Sequence, residues 1–414
     1  MNAFILQAVR AQVRAVLQEI DRLEGSEFPY LHAKDGLDAI RDIFREHEES
    51  LGQLTDSSKP DTVENACKTA FATVEGSLDI LGFILRSTNV RNGFEVYGPL
   101  LRLCRQVMGS DSKLIVSSEW SFSPFTLIGY EHLPGFVLIG LPATESANPF
   151  LIPLAGHELG HSVWSTFGHD VPHRLPIEDH IVSEIQKRWS EYETLFPGHE
   201  RSGLETDFFT RQTWQPARAW AMRQAEESYC DFLGLRIFGE AYLYAAAYLI
   251  APFREGRRPL VYPNHRDRAQ ALTSAADEYG LTKPADYVGM FADLAEPKDD
   301  QKQIRFLLSL ADSARGVVLP ALIKQAKQHA DDALVPVRDP AKVKECARRM
   351  ALMVPVQRAA GLANIMNAAW QARLSESQFF SDPGYDEHRE SNLSEIVLKS
   401  LEVFEIEQKL ASGP

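Results

Sequence analysis

With 414 residues, 44% of them hydrophobic and 24% charged, the chain carries enough apolar material for two or three domains' worth of core. Its formal net charge is −14 and its acidic residues are spread along the chain. With no basic stripe to replace phosphate counterions, nucleic acid is excluded as the main partner.

The N-terminus predicts an amphipathic helix rather than a signal peptide. Ile5, Val9, Val13, Val16, Ile20 and Leu23 recur at helical spacing, and Arg10 and Arg14 interrupt the apolar start. Residues 1–112 are expected to be a helical region, because ENACKTAFATVEGSLDILGFILR and EVYGPLLRLCRQVMG carry apolar stripes at three- and four-residue spacing. KLIVSSEW, FTLIGY and GFVLIGLP are short, β-branched or aromatic and bounded by Gly, Pro and Ser, and they predict a small sheet. Asn148 followed by Pro149 predicts the start of a helix and Gly168 its stop, with Pro153 delaying or bending the helix ahead of HELGH. His169 and His173 then fall in a loop. AYLYAAAYLIAPF (241–253) is shorter than the roughly 20 residues that span a bilayer, so no membrane insertion is expected. From 276 to 414 the pattern is helical again. Asn392 and Glu395 are placed to cap the last helix, and MALMVPVQRAAGLANIMNAAW is read as core rather than as an oligomer interface. The expected fold is mainly α with a small β-sheet (α+β). Its catalytic core would occupy 113–275, between helical regions 1–112 and 276–414. Cys67, Cys104, Cys230 and Cys346 lie far apart without a C-x-x-C pair. They indicate neither a disulfide framework nor a cysteine zinc knuckle, and a reducing cytoplasm is the expected compartment.

The chemistry is concentrated in LAGHELGHSVW, which holds His157, Glu158 and His161. On a helix, residues four apart share a face, so both imidazoles can be directed at one metal ion. Glu158 can then reach a metal-bound water and take its proton. A catalytic zinc site also needs a third protein ligand. The continuation H-x-x-G-x-x-H fails, since Trp164 and Phe167 occupy the two positions it requires. AEESYCDFLGL offers another pattern: Glu227 as the third ligand, and Asp231 one turn later to accept the free N–H of a ligand histidine. Glu226 competes as the ligand but lacks an aspartate four residues on.

HELGH on one helix and E-x-x-x-D about 65 residues later resemble the gluzincin zinc metallopeptidases. The wide gap is closer to the HtpX and CaaX-protease branch than to the thermolysin branch. VYPNHRDRAQAL is similar to that branch's His-Pro motif followed by an arginine, with Pro263 and Arg268 at similar spacing and Tyr262 in the histidine's place. The resemblance covers about the central third of the chain. It implies Zn2+ held by His157, His161 and Glu227, Glu158 as general base, and hydrolysis of peptide bonds in a protein or peptide substrate. Tyr262, His265 and Arg268, clustered in the third motif, are its candidates for stabilising the oxyanion. The plainer alternatives are that Tyr262 packs and Arg268 pairs with an interior carboxylate. The resemblance also implies that GFVLIGLP presents an edge to extended substrate, binding it by β-addition. The chain departs from the branch in its expected lack of membrane spans, so membrane location and prenyl-protein substrates do not carry over. Three rivals stay open: a catalytically silent zincin-fold scaffold, a zinc hydrolase of a non-peptide amide, and a helical interaction protein with an accidental HELGH. A regulatory partner or a homo-oligomer is compatible with each.

Overall fold

The computed structural model of the chain describes residues 2–412 apart from 30, 56–57, 90–92, 129–132, 168–175, 299, 357–359 and 376–387. It is 72% helical with one small three-stranded mixed sheet among the described residues, the mainly α architecture expected. The chain divides into two compact units, residues 1–105 with 109–147, and 106–108 with 148–414. The stretch 113–275 is thereby shared: its strands fall in the first unit and both of its metal motifs in the second.

The first unit contains α1 (Asn2–Glu24), α2 (Leu31–Gly52), α3 (Pro60–Arg86), most of α4 (Gly93–Met108), and the strands β1 (Lys113–Glu119), β2 (Phe125–Leu127) and β3 (Phe136–Pro142). The helical stripe Val9, Val13, Val16 and Ile20 packs with Ile40 and Phe44 of α2, Ala70 and Ile84 of α3, and Ile115 and Leu138 of the sheet. The strand order is β1-β3-β2, with β3 parallel to β1 and antiparallel to β2. This corrects the expectation that GFVLIGLP offers an edge to substrate. Val137–Gly140 is a continuous buried run, the pattern of a strand covered on both faces, and both of its hydrogen-bonding edges are taken. A Cβ at Gly140 would lie 2.6 Å from the Phe125 ring, so the glycine is what lets β2 pair there.

The second unit contains α5 (Ala155–Phe167), α6 (Ile177–Lys187), α7 (Trp189–Leu195), α8 (Phe208–Phe238), α9 (Glu240–Ile250), α10 (His265–Glu278), α11 (Lys302–Asp332), α12 (Pro340–Ala351), α13 (Leu362–Leu374) and α14 (Arg389–Ser412). α8 is its central element, packed against α11 along one side and α5 along another, with Trp214, Phe232 and Phe238 fully buried. Asp207 caps α8 by accepting from the Thr210 N–H at 2.7 Å. By length and composition α11 could cross a bilayer, but 56% of its apolar window is buried inside the protein. Asn148 does start a helical segment, accepting from the Phe150 N–H at 3.1 Å. Pro149–Leu154, with Pro153 inside it, winds as a 3-10 helix and α5 begins at Ala155. Gly168, His169 and His173 lie outside the described residues. Met350, Val356, Ile365 and Trp370 are buried, as expected for core. Asn392 does not cap α14: the helix already starts at Arg389, and the Asn392 N–H donates to the His388 carbonyl at 2.8 Å. Glu395 is likewise interior to it.

Candidate metal centre

The centre is built where α5 crosses α8 at very short range. A Cβ on Gly160 would lie 2.7 Å from the Cys230 Cα, and one on Gly156 would lie 2.9 Å from the Gly234 Cα. The two glycines of AGHELGH therefore leave one face of α5 without side chains, and the bare backbones touch. The helices run antiparallel, so His157 reaches the Asp231 end of α8 and His161 the Glu226 end. Gly234 is equally constrained, since its Cβ would meet the Tyr242 ring at 2.5 Å.

Both histidines turn Nε2 toward Glu227. His157 Nε2 is 3.3 Å from Glu227 Oε2, and His161 Nε2 is 3.7 Å from Oε1. One ligand atom from each of the three lies within 4.8 Å of the others, and all three residues are buried. Each Nδ1 meets a carboxylate. His157 Nδ1 is 2.9 Å from Asp231 Oδ1 and His161 Nδ1 is 2.8 Å from Glu226 Oε1. The carboxylates are themselves held. Arg268 donates to both oxygens of Asp231, at 2.6 and 2.7 Å, and the Tyr242 hydroxyl donates to Oδ1 at 2.6 Å. Arg223 pairs with Glu226 Oε2 at 2.7 Å and with Glu227 Oε1 at 3.2 Å, and the Tyr262 hydroxyl lies beside its guanidinium.

These contacts shift the titrating groups strongly. Burial pushes His157 down, but the Asp231 and Glu227 carboxylates overcome it and hold its pKa up at about 10. Burial pushes Glu227 up, yet His157 and the Arg268 charge bring it down to about 2. Asp231 is opposed by burial too, and Arg268 and His157 hold it far below the usual carboxylate range. Glu226 is lowered as well, its burial outweighed by His161 and Arg223. With its pKa held up by these carboxylates, His157 in the metal-free centre keeps a proton at neutral pH.

The donor set fits a divalent cation. Donor separations of 3.3 and 3.7 Å compare with about 3.3 Å between neighbouring donors of a tetrahedral ion bound at roughly 2.0–2.1 Å. The carboxylates on the two Nδ1 atoms select the tautomer that leaves Nε2 for the ion. This buried group could hold a metal ion.

Glu158 is buried on α5 one residue after His157. Arg268, on α10, is spent on Asp231, the interior pairing that was the plainer reading of it. Tyr262 is partly exposed and joined to the centre through Arg223. His265 opens α10, its ring packed edge-on to Phe253 at 6.3 Å, with burial and the Arg268 charge lowering its pKa. Sequence reasoning weighed Glu226 only as a rival ligand and did not consider Arg223 or Tyr242. Arg223 was findable, since it stands four residues before Glu227 and three before Glu226, within reach on one helix face. Tyr242 arrives from α9, and no spacing announces it. No family model, curated protein or solved structure matches the chain.

Proposed function

We propose that the protein is a zinc-dependent peptidase, with His157, His161 and Glu227 as metal ligands and Glu158 as general base, hydrolysing peptide bonds of a protein or peptide substrate. The observation that carries this reading is that two imidazole Nε2 atoms and one buried carboxylate converge while each Nδ1 rests on its own carboxylate. Two imidazoles and one carboxylate suit zinc better than calcium or magnesium, which favour all-oxygen shells. When bound, zinc supplies Lewis acidity, lowering the pKa of a water to about 7 and polarising a carbonyl.

The chain's own residues do the rest. Asp231 and Glu226 keep the histidine rings in one tautomer and at one angle. Arg268 and Tyr242 keep Asp231 ionised and aimed, so its part is orientation rather than proton transfer. Glu158 accepts the proton of the attacking water and returns it to the leaving nitrogen as the C–N bond breaks. The test combines metal analysis with cleavage of casein or a peptide library. About one zinc per chain is expected, lost in Glu227→Ala and kept in Glu158→Gln, with cleavage abolished in both. Zinc-loaded wild type that cleaves nothing, or zinc retained by Glu227→Ala, would overturn the reading.

A further inference from the structure

A tetrahedral oxyanion needs a donor that substrate can reach. Arg268 is not that donor. Its guanidinium is committed to both oxygens of Asp231, behind His157. The other guanidinium at the centre differs in its surroundings. Along α8, side-chain exposure rises from 2% at Glu227 to 12% at Glu226 and 36% at Arg223. Arg223 keeps Nη2 within 3.2 Å of a ligand oxygen of Glu227, while the hydroxyl of Tyr262, 37% exposed, lies beside the same guanidinium. Of the two guanidiniums, Arg223 is the more exposed, at 36% against 16% for Arg268, and Tyr262 reaches solvent beside it. Arg223 and Tyr262 thus link the buried ligand Glu227 to solvent.

We propose that Arg223 and the Tyr262 hydroxyl form the substrate-facing donor pair of the centre, gripping the carbonyl oxygen of a bound peptide as it becomes an oxyanion. This rests on the zinc-peptidase reading and assigns the oxyanion site within it. Three residues of one helix then share the work: Glu227 ligates, Glu226 orients His161, and Arg223 contacts substrate. The Arg223 fork suits an anionic oxygen because a guanidinium carries more N–H donors than its two carboxylate contacts use.

Protein loaded with saturating Co2+ provides the test, since visible absorption reports the metal's surroundings without any turnover. Inorganic phosphate serves as the tetrahedral anion, and 2-mercaptoethanol, which binds a metal through sulfur, as the control. Arg223→Met should keep the absorption of the unliganded site, bind phosphate at least about tenfold more weakly and bind the thiol within about twofold of wild type. Tyr262→Phe, a change at a partly exposed side chain that removes only the hydroxyl, should weaken phosphate binding by about threefold. For a peptide that wild type cleaves, Arg223→Met should lower kcat by about 100-fold with little change in KM, the size seen when one oxyanion donor is removed. Phosphate affinity unchanged in both variants would overturn the proposal, and so would a Co2+ spectrum lost in Arg223→Met, which would make the arginine purely structural. If wild type binds Co2+ and phosphate but cleaves no peptide, the peptidase reading fails while the donor pair stands.

Discussion

The two limbs of the metal centre are built from the same four kinds of group: imidazole, carboxylate, guanidinium and phenol. The inner limb is His157, Asp231, Arg268 and Tyr242, and the outer limb is His161, Glu226, Arg223 and Tyr262. Each is a histidine on a carboxylate, the carboxylate on a guanidinium, with a phenol alongside. They differ in burial. Tyr242 is fully buried and the Arg268 side chain is 16% exposed, whereas Tyr262 and Arg223 are 37% and 36% exposed. Similar groups thus sit in different surroundings, and in our proposal the inner limb is a fixed support while the outer limb contacts the ligand.

Removing the two arginines in turn gives the largest expected contrast. Arg268→Met leaves the Asp231 charge buried without its cation and should cost about 3–5 kcal/mol of stability in urea denaturation. Arg223→Met removes a 36% exposed cation and should cost less, about 1–2 kcal/mol, because His157 and the Arg268 charge still face Glu227. Equal losses would end the distinction between support and contact surface. Next comes the helix crossing that both limbs share. Gly160→Ala drives a Cβ into the Cys230 backbone, and forcing the helices apart should cost about 1–3 kcal/mol, with a matching fall in metal affinity by competition with a chelator. A fully stable, fully metallated Gly160→Ala protein would show that the close approach is dispensable. The orienting carboxylates follow. Asp231→Asn and Glu226→Gln should each weaken metal binding by about 10–100-fold, the inner substitution by more, because Asp231 is held by three donors besides solvent-excluded packing.

Proton linkage gives the sharpest comparison. With His157 raised from 6.5 to about 10, metal binding at neutral pH must displace its proton. Metal affinity should therefore rise about tenfold per pH unit until pH nears 10, and calorimetry in buffers of different ionisation enthalpy at pH 7 should register about one proton released from this limb. For the metal-free protein the sign is opposite. A pKa raised on folding stabilises fully below about 6.5, and that stabilisation is lost as pH climbs through 10. Asp231→Asn removes one of the carboxylates that hold the proton and should reduce the release. Glu226→Gln should leave it in place.

Much of this was legible from residue order. Short-range spacing identified the three strands, the Asn148 start and the pairing of His157 with His161, because each depends on neighbours within a turn or along one strand. The order of the strands was not legible. Val137–Gly140 reads as a strand whether it lies at the edge or the centre, and only its two partners make it central. Glu226 was similarly ambiguous. Beside Glu227 it could be ligand, orienter or solvated charge, and the choice depends on where His161 falls when α5 meets α8.

The sequence by itself determined which side chains could act together. A period of 3.6 residues places 157 with 161, and 223 with 226 and 227, before any tertiary contact forms. Tertiary structure alone decided which carboxylate each histidine received, and which arginine was the more buried and which the more exposed. Those outcomes follow from burial, and burial is settled by packing between segments far apart in the chain: α5 against α8 through bare glycines, then α9 and α10 closing over the inner limb.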